Sequence, residues 1–280
     1  MSFSETKKDF VINVIKLGGT SQSKKGYDTL ISNLKDNKTV VVVSALKNIT
    51  NNLLFIIEKY NTLSSNEREN WVNNNIITPN IELASSLGIS DISFLKVDFN
   101  YLLLLMKNTS DKLQLQEKIN LISVGETLTS KILNVYLQIN NKNSLYLDSI
   151  QFIRCNLENK SIYNKGEFSV DKNVLLNNFK DNQIIVVPGF RGMNINNDLS
   201  LMGRGGSDTT GSIIAAEMLS DKYEIWTDVN GIYTGDPNNL NNVNIIKSIS
   251  YDAAQEISAM GARVIHPYCI RPCKEKNIPI

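Results

Sequence analysis

The sequence predicts an α/β fold: a three-layer α/β/α sandwich around a mainly parallel central sheet. Short runs such as "FVINVIKL", "TVVVVSA" and "QIIVVP" are apolar, rich in β-branched residues and free of alternation, as strands buried on both faces are. Stretches with helical spacing lie between them, and strands alternating with helices give a parallel sheet covered on both sides. The 280 residues, 42% hydrophobic and 20% charged, suffice for one large domain. No Pro/Ser linker and no internal repeat divides the chain, so residues 1–280 form a single domain with two lobes, about 1–190 and about 191–280.

Taken in order, "FVINVIKLGG" is a buried strand ending in a glycine turn, and "GYDTLISNLK" a helix. "TVVVVSA" is the next strand, and "NNLLFIIEKYN" a helix with Leu53, Leu54, Ile57 and Tyr60 on one side. Residues 64–118 are mainly helical. "KINLISVGE" is expected to be a strand closed by a Gly-Glu turn, followed by the helix "TLTSKILNVYLQI". "SLYLD" and "QIIVVPGF" are strands, the second stopped by Pro188 and Gly189. "MNINNDLSLMG" is a hairpin around Asn-Asn-Asp. "YEIWTDV" is a strand, and "SYDAAQEISAMGA" and "HPYCIRPCKEKN" are helices.

A net charge of +1 gives no electrostatic case for nucleic acid or an anionic membrane. The longest apolar stretch, around Phe99–Met106, is interrupted by Asn100 and is too short to cross a bilayer. "MSFSETKKDF" has no secretory signature, so a cytoplasmic location is expected. The cysteines Cys155, Cys269 and Cys273 fit reduced, packed thiols. Cys269, Cys273 and His266 do not complete a tetrahedral site, and no metal is expected on the protein's own side chains. The asparagine runs at 73–75 and 238–244 are expected on solvated surface.

Chemistry concentrates at five turns: "KLGGTS", "VSALKNIT", "SVGE", "LMGRGGSD" and "WTDVNGIY". Ligands of parallel sheets gather beyond the carboxyl ends of the strands. Glycines there let backbone N–H groups approach an anion, and a following helix adds its positive end. Singly, each turn has a plain explanation. Lys16 is a strand-end lysine, Glu126 a carboxylate at a helix start, and Ser207 or Asp208 an ordinary N-cap. A cap does not call for Arg204, whose planar fork suits a carboxylate or phosphate. Neither a Walker loop nor G-x-G-x-x-G follows the first strand.

In order along residues 12–280, "KLGGTS", "VVVSA", "NIT", "SVGE", "PGF", "LMGRGGSD", "EIWTDVNGIYTGDP", "SYDAAQEISAMGARVIHP" and "NIPI" resemble the catalytic domain of aspartate kinases, within the amino-acid kinase superfamily. The resemblance implies transfer of the γ-phosphoryl of MgATP to the side-chain carboxylate of L-aspartate, giving 4-phospho-L-aspartate and ADP, in amino-acid biosynthesis leading to lysine and threonine. That carboxylate is ionised at neutral pH, so no general base is required, and catalysis reduces to positioning and charge neutralisation. Small molecules are the implied partners, with any homodimer formed through the kinase domain itself.

By motif, Lys16 contacts the transferring phosphate, Gly18, Gly19 and Thr20 cradle it, and Asp208 orients the lysine. Arg204 and Ser207 take the substrate α-carboxylate, Glu126 its ammonium, and Ser44 and Thr50 are substrate-side hydroxyls. Thr227, Asp228, Tyr233, Asp236, Arg263 and Val264 lie on the nucleotide side. The first lobe then serves the amino acid and the second the nucleotide. Mg²⁺ would be held mostly by phosphates and water. His266 is expected to cap or pack.

Three departures stand out: Asn238 replaces the arginine usual after "DP", Arg263 the usual lysine, and Asn48 a glycine. Beyond "NIPI" the family continues with ACT regulatory domains, so a chain stopping at Ile280 is expected to lack amino-acid feedback. A kinase of a related small acid, and a non-catalytic ATP or amino-acid binder, remain as alternatives on these residues.

Overall fold

The computed structural model describes residues 11–108, 112–235, 239–240, 242–259 and 265–280. Its first half runs β1 (Ile12–Leu17), α1 (Lys24–Asn33), β2 (Lys38–Val43), α2 (Ile49–Lys59), α3 (Ser65–Val72), α4 (Thr78–Ser86), α5 (Lys96–Lys107) and α6 (Leu115–Ile139). Then come β3 (Ser144–Tyr146), β4 (Ile153–Cys155), β5 (Phe168–Val170), α7 (Lys172–Asn178), β6 (Ile184–Pro188), β7 (Arg191–Met193) and β8 (Leu199–Leu201). The chain continues through α8 (Gly206–Glu217), β9 (Lys222–Trp226), α9 (Tyr251–Ala259) and α10 (Ile270–Glu275).

Five strands pair in the order β3-β6-β2-β1-β9, every pair parallel. Strand periodicity sends alternate residues to opposite faces. Ile15, Leu17, Val41, Val43 and Val186 face a core built with α1 to α6. Val14, Val40, Val42, Ile185 and Val187 face another, built with α7, α8 and α10. Both faces being dry explains the unalternating runs, and the three-layer expectation holds. A second sheet, in the order β5-β4-β7-β8, includes the hairpin expected within 193–203, whose strands pair Arg191–Met193 with Leu199–Leu201. β4, β5 and α7 carry no strong sequence pattern, because each is short and only partly buried.

Residues 64–118 are mainly helical where described, with a π-helical turn at Asn73–Ile77 joining α3 to α4. The asparagine run 73–75 therefore lies within a helical stretch, half-buried at its ends and exposed at Asn74.

One expectation fails. "KINLISVGE" is not a strand but the first half of the 25-residue helix α6, opened by a Gln114/Glu117 capping box. Its residues are buried nearly all round, with Ile119 and Ile122 in one core and Leu121 and Val124 in the other. Without a polar side, the 3.6-residue period disappears from the sequence. Gly125 is no turn: a Cβ there would come 2.7 Å from the Ala45 Cβ, so its role is close approach of α6 to the loop after β2.

The "NIPI" segment runs beside the sheet edge, where Pro279 C=O accepts from Tyr223 N–H at 2.8 Å and Ile278 is buried. Cys155, Cys269 and Cys273 are free and buried. Among the described residues no helix is long and apolar enough to cross a membrane.

Candidate active site

Four of the five turns converge at the carboxyl edge of the parallel sheet or at the adjoining start of α8. The turn after β1 is tightly pinned. Gly18 N–H donates to Trp226 C=O at 2.9 Å, and Lys47 N–H donates to Gly19 C=O at 3.2 Å. Gln22 Nε2 donates to the carbonyls of Leu17 and Gly18, and Tyr27 holds its other end. A Cβ on Gly19 would fall 2.8 Å from the Ala45 carbonyl oxygen, so glycine is what lets β1 and β2 end side by side. Thr20 follows in a 3-10 turn, Gly19–Ser21. The turn is preorganised, but the expected cradle of three N–H groups loses Gly18, whose N–H is engaged with Trp226 C=O.

Lys16, on the last turn-proximal residues of β1, points to Asp208 in the first turn of α8, with Nζ–Oδ1 at 2.7 Å. Both side chains are mostly shielded, at 12% and 14% exposure, so the attraction is little screened. Asp208 makes no capping bond: the N-cap is Gly205, at φ +70°, with no side-chain cap at all. The plain-cap explanation for this aspartate therefore fails. His266 does pack and cap as expected, lying against Gly205 and accepting from Tyr268 N–H at 3.4 Å.

The start of α8 sits close to the end of β6. A Cβ on Gly189 would lie 2.7 Å from both Cβ and Oγ of Ser207. Phe190 takes φ +74°, and its N–H donates to Thr210 Oγ1 at 2.8 Å. Arg204 is exposed and has no ion-pair partner among the described residues. Tyr163 lies within the fields of both Arg204 and Glu126; burial is the main influence that raises its hydroxyl pKa.

Glu126 is 4% exposed, with Oε2 buried and unpartnered. Burial pushes its pKa up to about 7; backbone N–H groups of Glu126 and Ala45, then Arg191 and Lys16, pull the other way. Its place is mid-helix on α6, not the expected helix start. Ser44 follows β2, and its carbonyl accepts from Thr129 Oγ1 on α6 at 2.9 Å. Thr50 is half-buried in the first turn of α2. Before it, Asn48 adopts φ +70°, a left-handed position that asparagine tolerates better than most residues, which explains how it stands where a glycine was expected.

Beside the glycine turn opens a cleft of about 1160 Å³ whose lining includes Thr20, Lys25, Thr227, Asp228, Gly231 and Tyr251. Thr227 Oγ1 donates to Asp228 Oδ1 at 3.0 Å. Tyr233 bridges to Ile245 rather than lining this cleft. Asp236, Asn238, Arg263 and Val264 lie outside the described residues. Among the described residues no group of His, Cys, Asp and Glu is arranged to hold a metal. Arg191 carries no sequence signal except that a cation directly follows the strand-ending "PGF".

The sequence profile described as "Amino acid kinase family" matches residues 12–280. The bifunctional aspartokinase/homoserine dehydrogenase of Buchnera aphidicola is 31% identical, over 96% of this chain and 34% of its own length. Escherichia coli aspartokinase III, solved in complex with aspartate and ADP, superposes with a TM-score of 0.80 at 24% identity, over 95% of this chain and 60% of its own. Clostridium acetobutylicum aspartate kinase gives 0.68 at 28% identity, over 96% of this chain and 58% of its own. The chain spans between a third and about half of the length of the curated relatives it matches. With a family profile matched from β1 to the last residue, on a fold that those structures share, the chain belongs to the amino acid kinase family.

Proposed function

We propose that this chain transfers the γ-phosphoryl of MgATP to the side-chain carboxylate of L-aspartate. The observation that carries the reading is the shielded Lys16–Asp208 pair, held at 2.7 Å beside the pinned glycine turn, with an ionisable Glu126 buried on the facing helix. Lys16 neutralises the phosphoryl group in flight, and Asp208 fixes the lysine's direction. The N–H groups of Gly19 and Thr20 receive phosphate oxygens, Gly18 N–H being engaged with Trp226 C=O. Arg204 and Ser207 hold the substrate α-carboxylate, Glu126 holds the ammonium, and Ser44 and Thr50 flank the acceptor.

Thr227 and Asp228, in the wall of the 1160 Å³ cleft, face the nucleoside, with Tyr233, Asp236, Arg263 and Val264 assigned to the same side. Residues up to about 190 then mainly serve the amino acid and the remainder the nucleotide. Mg²⁺ is assigned to arrive on the ATP phosphates, which with water supply most of its ligands. Bound there, the ion offsets phosphate charge. The acceptor needs no deprotonation, which accounts for a site without a histidine or cysteine nucleophile.

Coupled measurement of ADP release decides the matter. Aspartate-dependent turnover supports the proposal. Turnover only with other small acids, or binding of ATP and aspartate without turnover, refutes it.

A further inference from the structure

Arg191 opens β7 immediately after the Pro-Gly-Phe bend and is 6% exposed. Its Nη1 donates to Thr127 Oγ1 at 2.6 Å and to Ser123 Oγ at 3.3 Å. Its Nε donates to Asp148 Oδ1 at 3.2 Å, and Nη2 pairs with Asp148 Oδ2. Ser123 and Thr127 stand one helical turn apart on α6, and Glu126 lies within that turn. One guanidinium thus ties the Glu126 turn to β7 and to the loop after β3. Burying an arginine–aspartate pair is costly, and a well-packed apolar side chain often does as well or better for stability.

The charges that bear on Glu126 are few. Lys16 on β1 and Arg191 on β7 favour its ionised form. Asp208 and Asp148 stand behind those cations as their partners. Tyr163 is coupled to Glu126 and, in turn, to Arg204. Lys16 is engaged with Asp208 and, during turnover, with phosphate. Arg191 is held by Asp148, Ser123 and Thr127.

We propose that Arg191 is a positioning residue for the amino-acid side of the site, clamping the α6 turn that carries Glu126 so that its carboxylate is placed to meet an ammonium. This rests on the assignment of Glu126 made above.

The test is Arg191→Gln, which removes the charge but keeps an N–H donor for Thr127. The titration of Glu126 is followed by carboxyl-carbon NMR on the ligand-free protein, and KM and kcat are measured from pH 6.5 to 8.5. Glu126 is expected to titrate at higher pH than in the wild type. KM for aspartate should rise about threefold at pH 7 and converge on the wild-type value by pH 8.5. KM for ATP should be unchanged, and Arg191→Lys should restore most of the pH profile.

An unmoved Glu126 titration overturns the proposal, as does a rise in KM that is equal at every pH. If Arg191→Gln does not fold, the Asp148→Asn/Arg191→Met double variant removes both charges of the pair together and is judged by the same criteria. The NMR measurement needs no substrate. A wild type that ignores aspartate would defeat the proposed function, while Arg191 would still be judged by the titration.

Discussion

Glu126→Gln should make the protein more stable above neutral pH while removing its hold on the amino acid. The wild-type carboxyl is raised from its usual 4.5 to about 7 by burial. Between those values the folded state binds the proton that the unfolded chain has released. Stability from this group is therefore fully present below about pH 4.5 and is lost as pH rises through about 7. The interval corresponds to about 3 kcal/mol at most. Glutamine has nearly the same shape and no charge to bury, so it escapes that loss.

Thermal or urea unfolding of both proteins, from pH 4.5 to 8.5, reads the difference. The two should be equally stable at the acid end and separate as pH rises. The variant should lead by up to about 3 kcal/mol at pH 8, or about 5 °C in Tm for a chain of this length. Affinity for aspartate should collapse at the same time, a trade of stability for function. A stability difference that does not change with pH, or a variant less stable than wild type at pH 8, would refute the account of a charge kept buried for its ligand.

Lys16→Ala and Asp208→Ala should each lower kcat by at least about a hundredfold with the fold intact by circular dichroism; near-normal kcat in either one contradicts the assigned roles. Arg204→Ala should cost about 1.5–3 kcal/mol in kcat/KM for aspartate and leave KM for ATP unchanged. An equal loss for both substrates would show that the division of the site is wrong. Gly189→Ala places a methyl group 2.7 Å from Ser207 and should push the start of α8 off the end of β6, costing about 1–3 kcal/mol of stability together with activity. An unchanged Tm would show that this approach is looser than the structure has it.

What the sequence determined by itself was the parallel sheet and four of the five turns expected at its edge. A strand buried on both faces must be apolar throughout, and a backbone that passes 2.8 Å from where a Cβ would sit must be glycine, as at Gly19. Those demands are local, and they appear in the letters as "TVVVV" and "KLGG". The tertiary structure decided whatever depends on neighbours distant in the chain. A helix surrounded by two cores has no polar face, so α6 resembled a strand, and Gly125 a turn, until Ala45 was seen against it. Asp208 reads by its local letters as a cap and is linked to Lys16 only through the family resemblance; the fold brings the two, 192 positions apart (208 − 16), to 2.7 Å. The charge state of Glu126, and the clamp of Arg191 upon its helix, belong to burial and to fields that converge from β1, α6 and β7. Electrostatics acts through space, and only the fold says which charges share it.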